Sequence, residues 1–568
     1  MPIKAKLTIG LGVALAPWLS AVPASAADET LSLQTVVALP TPQVLGAFDI
    51  SWVDSTLSTY ALAASRLLAT GIGPASHPGI VIVNTQTNFV SNELGTASTP
   101  FAGACASLGN RDMVGFSGPN GVIIVEKGKG VNEVWAGDGP IVSPPCPIDP
   151  VKGTPNEFTA TVSGNVLTVT TTPTDANSPT PPTIAAGQTL IDAGGLVPSG
   201  TTIVKQLTGM PSGGIGTYQI SVSLTISPGE LMSAFTVTRS PQVVVFDLTN
   251  PVAKKQIPVG GSFRADELCY APSSNGNVNG NGNGNGKGVV LIANDEPGDQ
   301  FVTFIDTDTY TPFQRMRFDG SDPNANKINA TGGIEQCQFN PRDGKFYLNI
   351  PGSTTGAHVL RISRKNKNSP FTVEADFGPK NPDITTCKPN GLAVGPADQL
   401  GLGCSGNPPN EALIISDIDG STVSILPNLG RADEDWYNPG TNHYYFAAST
   451  PADLGVADAG NRSDSACNVA PPAPAGCPAS DGTIPTASGS HSVAADSVLN
   501  FVYVPIRAGA TGSGTVCGTA LASSGCIAVY FAVNDGDDVA AGNGNGNGNG
   551  NGNGNGQGNN NAQGNQKN

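Results

Sequence analysis

The chain has 568 residues, rich in Gly (72) and Pro (47), with 13% charged side chains and 28 Lys and Arg against 44 Asp and Glu, a formal charge of −16. A diffuse acidic balance of this kind argues against nucleic acid as a partner and favours solubility. Abundant turn formers between short apolar runs point to many short strands rather than helices.

Residues 1–26 read as a secretory signal: Lys4 and Lys6 make a basic start, Leu7–Leu19 is mostly apolar, and Ala24-Ser25-Ala26 fits the small-residue cleavage rule. The apolar run is short for a membrane anchor, and no later stretch of the chain is long and apolar enough to span a bilayer. Cleavage would remove two lysines and take the charge from −16 to −18. The expected location is secreted, periplasmic or at the cell surface.

A recurring phrase then organises the chain, in which a polar residue opens a short apolar strand and a turn follows. It starts at Asp49, Asn120, Asp266, Glu335, Asn390, Asp433 and His491, and in four cases a proline lies six residues on: Pro272, Pro341, Pro396 and Pro439. Strand-rich repeats at roughly 40–50 residues indicate a propeller or solenoid. The expected fold is an all-β, seven-bladed β-propeller, with the seven polar residues forming a ring at the entry to the central channel.

In chain order, Leu31–Leu39 precedes the first blade and is expected to close the ring by pairing with the last. Blade 1 is read as Ile50–Val53, Tyr60–Ala64, Ile80–Val83 and Phe89–Leu94. Blade 2 begins with Val122–Val125 and Glu133–Ala136, and resumes at Val243–Phe246. The propeller thus occupies 31–142 and 241–535, and a small β-rich module, 143–240, is inserted in blade 2. Within it Phe158–Thr170 alternates with period two about Ser163-Gly164-Asn165, which reads as a turn. Ile184–Leu190 and Gly214–Ile220 continue the module.

Third strands end in turn formers at Asn84, Asp247, Asp306 and Asp417. Later blades are read from Phe346–Ile350, Val359–Ser363, Leu400–Gly403, Leu413–Ser416, His443–Ala448, Asn500–Pro505 and Cys526–Val533. Blade 7 stops after three strands, so Leu31–Leu39 is needed as its fourth. Asn275–Gly286 and the tail 541–568 are Asn/Gly tracts that bury too little apolar area to offset ordering, and are expected to be disordered.

The ten cysteines form an even set, which in an exported chain implies disulfides. Cys467 and Cys477 flank a Pro-rich loop, Cys517 and Cys526 a Gly/Ser/Ala loop, and Cys387 and Cys404 stand where two strands of one blade meet. Cys105 with Cys146 and Cys269 with Cys337 follow by elimination. No Cys-x-x-Cys spacing supports a zinc, thioredoxin-like or haem site.

The ring Asp49, Asn120, Asp266, Glu335, Asn390 and Asp433 offers hard oxygen donors suited to a divalent cation, Ca²⁺ foremost, and His491 widens the set to Mn²⁺, Zn²⁺ or Fe. Without a cation or shared protons its carboxylates would repel. His77, His358 and His443 are read as lying in turns or outer strands.

Pro389-Asn390-Gly391-Leu392-Ala393 and Pro119-Asn120-Gly121-Val122 resemble the strand opening of gluconolactonase/regucalcin-like propellers. The repeated strand–Asp–turn phrases are similar to those of YVTN-type bacterial propellers. The first resemblance implies one divalent metal held by Asn120, Asn390, Glu335 and Asp433, with an Asp as general base for lactone hydrolysis. The segment about 158–225 resembles a β module of phage tail and bacterial surface proteins, which implies display or adhesion.

Three functions follow. The first is an exported binding or display protein whose channel holds a cation or small polar ligand, with a surface polymer or protein as partner. The second is a metal-dependent lactone or ester hydrolase with Asp433 or His491 as base. The third is a structural envelope protein. No Gly-x-Ser-x-Gly elbow and no His-Glu-x-x-His occurs, which speaks against serine-hydrolase and zincin chemistry.

Overall fold

The computed structural model describes residues 31–41, 43–69, 76–96, 100–103, 117–127, 131–143, 156–173, 183–193, 196–198, 200–272, 288–296, 298–366, 368–406, 411–469 and 474–532. The signal segment, both Asn/Gly tracts, Cys105 and Cys146 lie outside them.

The described chain forms seven antiparallel blades, six of four strands and the first of five because Gln43–Ala47 adds to it, and one further curled sheet in the insertion. The first strands of the blades are Ser51–Asp54, Val122–Glu126, Ala265–Ala271, Cys337–Asn340, Pro389–Val394, Ala432–Asn438 and Ala494–Asp496. Each touches the next, and the seventh touches the first, so the ring is closed. Blade 7 supplies only three strands of its own. Ser32–Val37 pairs antiparallel with Cys526–Phe531 and completes it, as expected from its sequence. A closed ring leaves no inner edge open to another chain.

Blades pack face to face, which explains why periodicity is weak in their middle strands. Val289–Asn294 is buried at every position, as is Ala265–Ala271, because neighbours cover both faces. Exposure rises toward the rim, as in Thr311–Arg317, where Met316 is buried and most of its neighbours are exposed. Trp52 of blade 1 and Trp436 of blade 6 meet edge to face at 5.3 Å. They join one apolar cluster with Ala494 and Ala495 of the intervening blade 7, whose small side chains leave room for the two indoles.

Neighbouring blades are tied by polar groups at strand ends. Asp496 takes backbone N–H bonds from Val498 and Leu499 through Oδ1 and accepts from the Thr85 hydroxyl of blade 1 at 2.6 Å through Oδ2. In blade 4, Asn340 caps Arg342 N–H and donates to Asp417 of blade 5 at 2.8 Å. Asn84 and Asp306 close third-strand turns as expected, each accepting two backbone N–H bonds.

Blade 2 leaves its second strand at Asp138 and resumes at Gln242. The insertion between them is built on one long strand, Gly216–Arg239, which pairs with Ile141–Ser143, Glu157–Val169, Thr189–Asp192 and Ile203–Thr208. Phe158, Leu167, Tyr218 and Met232 belong to its own core. The turn expected at Ser163-Gly164-Asn165 is instead a bulge within Glu157–Val169, where the register shifts between Gly164 and Val166. Gly164 takes φ +61°, a conformation glycine tolerates, so the strand bends without reversing.

Four disulfides are present among the described residues: Cys269–Cys337, Cys387–Cys404, Cys467–Cys477 and Cys517–Cys526. Each joins a pair read from the sequence. Cys269–Cys337 links the first strands of blades 3 and 4, and the others close local segments. Four such bridges suit an oxidising, extracytoplasmic compartment. Among the described residues no helix is long and apolar enough to cross a membrane.

Candidate functional site at the channel entry

All seven ring residues stand at or just before the first strand of their own blades. Asp49, Glu335, Asn390, Asp433 and His491 are partly exposed, whereas Asp266 and Asn120 are buried. At the centre of the cluster is a residue that sequence reading missed, Arg264. Its guanidinium donates to Asp49 at 3.1 Å and pairs with Asp266 at 2.6 Å. Asp295, just after the second strand of blade 3, and Glu335 also act on it electrostatically. Arg264 precedes Asp266 by two residues, so strand alternation puts both on one side of the chain; that spacing was the available signal.

His491 faces Asp49 at 3.4 Å through Nε2, while its Nδ1 lies 2.8 Å from the Gly489 carbonyl. Both ring nitrogens therefore meet acceptors, an environment that favours the doubly protonated ring. Burial alone would push the imidazole down. The Asp49 hydrogen bond and the charges of Asp433 and Asp49 outweigh it and raise the value to about 9. Phe48 stacks on the ring at 5.1 Å. Burial raises the Asp49 carboxyl, but His491 and Arg264 overcome it and hold Asp49 below the usual carboxylate range.

The other carboxyls go the opposite way. Burial and the charges of Asp49, Asp295 and Asp433 lift Asp266 well above its ordinary value against the pull of Arg264. Burial, then Asp433, Asp266 and Asp295, do the same to Glu335. Behind the ring lies a second buried layer. Glu434 accepts from the Ser492 hydroxyl at 2.5 Å and Val493 N–H at 3.0 Å, and burial raises it well above the carboxylate range. Glu267, one residue past Asp266, is buried and raised by desolvation and by Asp266, Glu335, Asp433 and Glu434.

The two Asn residues take structural parts. The Asn120 amide donates to the Ser117 and Ala265 carbonyls at 2.9 and 3.0 Å, tying blade 2 to blade 3. The Asn390 amide donates to Asp433 at 3.0 Å. The glycines of both Pro-Asn-Gly phrases have a packing reason. A Cβ on Gly121 would strike the Asp266 carbonyl, and one on Gly391 would strike the Asp435 carboxyl of blade 6. These phrases therefore allow close approach of the next blade.

The resemblance implied a divalent metal, and the donor set does not fit one. Among the described residues no three His, Cys, Asp or Glu side chains are grouped to hold a metal ion. Arg264 already supplies the cation between Asp49 and Asp266.

No protein-family model and no curated protein matches the chain. Among solved structures it is similar to Kuenenia stuttgartiensis hydrazine synthase, at 12% identity over 82% of this chain and 94% of that one, with TM-score 0.39. It is also similar to the WD40 repeats of RRP9 (7%, 89% and 100%, TM-score 0.42) and to the Dos1 propeller (9%, 88% and 95%, TM-score 0.41). The class is defined by the chain's own topology, a seven-bladed β-propeller with an inserted β sheet.

Proposed function

We propose that this protein is an exported binding propeller whose channel entry receives the cationic group of a small polar ligand. One observation carries the reading: Asp49, Asp266, Asp295, Glu335 and Asp433, drawn from four blades, act on one another around a single guanidinium, and Asp49, Glu335 and Asp433 are partly exposed. Asp266 and Glu335 are raised well above their ordinary values because the local positive charge falls short of what their burial and mutual repulsion demand. An incoming ammonium group supplies that charge, and these carboxyls release protons as it binds. A chelated metal would need several carboxylates turned toward one point, which this geometry does not offer.

The hydrolase alternative with His491 as base has weaker support. An imidazole raised to about 9 is already protonated at neutral pH and has no free nitrogen to accept a proton. Calorimetric titration with a short diamine and, separately, with Ca²⁺ tests the reading, run in two buffers of different ionisation enthalpy. Diamine binding with proton release that weakens in Glu335→Gln supports it. Ca²⁺ binding without diamine binding would restore the metal reading, and binding of neither would remove the ligand.

A further inference from the structure

A second constellation lies in blade 4. The third strand of that blade, His358–Ser363, begins with a histidine that is 1% exposed. Its Nδ1 faces the Asp376 carboxylate at 3.0 and 2.9 Å, and its Nε2 lies 2.7 Å from the Ser353 Oγ. Asp376 also accepts the Gly378 N–H at 3.1 Å, which fixes the carboxylate.

The network assigns the protons. A carboxylate beside Nδ1 places the ring proton there and leaves Nε2 as an acceptor. Ser353 Oγ already accepts the Thr355 N–H at 3.0 Å, so its own proton is free to point at Nε2. The Thr355 hydroxyl is the remaining neighbour, 3.1 Å from Oγ and 3.4 Å from Nε2. His443 and His491 differ from this arrangement. Each sets one ring nitrogen against a backbone carbonyl and the other against a carboxylate, so neither presents a hydroxyl to a free nitrogen.

Ser353 is also held in place and reachable. It stands opposite Ala330 in an isolated antiparallel bridge, with Thr331 N–H donating to the Gly352 carbonyl at 2.9 Å and Thr354 N–H to the Asn329 carbonyl at 3.1 Å. In that register the Ser353 N–H turns away from residues 329–331. It is a donor for the oxyanion that develops on the carbonyl oxygen of an ester attacked by Oγ, the arrangement a nucleophilic serine needs. Ser353 is partly exposed, and Thr354 and Thr355 beside it are exposed. The loop joins the second and third strands, so antiparallel alternation puts it on the face where the first strands begin, the face of the ring.

We propose that Ser353 and His358 are catalytic residues, with Asp376 as positioning residue, of a serine-nucleophile site that hydrolyses small carboxylic esters. The constellation is recognised by geometry and needs no elbow motif. Oγ attacks the ester carbonyl carbon while Nε2 takes the hydroxyl proton, and the carbonyl electron pair moves onto oxygen. Collapse expels the alcohol, which leaves with the proton from Nε2. Water then gives a proton to Nε2 and attacks the acyl-serine. The second collapse releases the carboxylic acid and returns the proton to Oγ. Ester and water are the only reactants.

This site is separate from the acidic ring. The test uses the mature protein with a fluorophosphonate probe and p-nitrophenyl acetate. Expected is a single adduct mapped to Ser353, with turnover that falls on the order of a thousandfold in Ser353→Ala. In Asp376→Asn, which holds the wrong tautomer, kcat falls steeply while KM stays close to that of the parent. A purely structural Asp376 would lower folded yield and leave kcat per folded molecule unchanged. Circular dichroism and melting of each variant separate the two. No adduct at Ser353, or hydrolysis that survives Ser353→Ala, overturns the proposal.

Discussion

Raising the pH should weaken this fold through His491 by a calculable amount. The folded imidazole titrates near about 9 against an ordinary 6.5, because Asp49 and Asp433 surround it. The native state therefore keeps a proton that the unfolded chain has released. The stabilisation is fully present below pH 6.5 and is lost as pH rises through about 9. That gap, at about 1.36 kcal/mol per pH step, amounts to about 3 kcal/mol. The comparison is between the parent protein and His491→Gln, with disulfides intact, by guanidinium unfolding at pH 6 and pH 9. Asp266 and Glu335, both raised by burial and by their acidic neighbours, lower stability with pH in both proteins, and their contribution largely cancels in the comparison. Glu434, which the His491 charge pulls down against its burial, is the one second-layer group that feels the substitution directly. The parent should lose about 3 kcal/mol more than the variant between the two pH values. Equal losses would mean that Asp49 does not hold the His491 proton, and the reasoning about the ring's charge would fall with it.

Removing the central cation should cost more than removing any one carboxylate. Arg264→Met leaves Asp49 and buried Asp266 without their shared partner, for about 3 kcal/mol at neutral pH. The deficit should narrow below about pH 4 as Asp49 protonates, read as converging denaturation midpoints. Replacing Cys269 and Cys337 by Ser removes the bridge between blades 3 and 4, spanning 68 residues, and should cost about 2–4 kcal/mol without changing the far-ultraviolet spectrum. Ser143 pairs with Thr236, so joining these two residues by a Gly-Ser turn deletes most of the insertion. A cooperative β-rich melt is expected, whereas an aggregated product would show that the insertion is part of the propeller's folding unit.

Much of the architecture was legible in the chain. Each blade opens with a polar residue ahead of an apolar run, so the spacing of Asp49, Asn120, Asp266, Glu335, Asn390, Asp433 and His491 gave both the number of blades and their first strands. The missing strand of blade 7 pointed to Ser32–Val37, and local loop composition paired Cys467 with Cys477 and Cys517 with Cys526. These features follow from local pattern and from the need to close a ring.

What the side chains do was decided by contacts between blades, which no local pattern encodes. Arg264 becomes the ring's cation only when blade 3 turns it between Asp49 and Asp266, and Asn120 becomes a strut only when Ala265 comes within reach. Gly391 is needed because Asp435 arrives from 44 positions along the chain, and Gly121 because the Asp266 backbone does. Ser353, His358 and Asp376 carry no motif in sequence. One loop and two neighbouring strands of a blade bring them together, and hydrogen bonds 2.7–3.0 Å long orient them. Sequence period specifies which residues face a neighbour, but the identity of that neighbour depends on how the twisted blades are arranged around the axis, and the charge and proton state of each buried group follow from it.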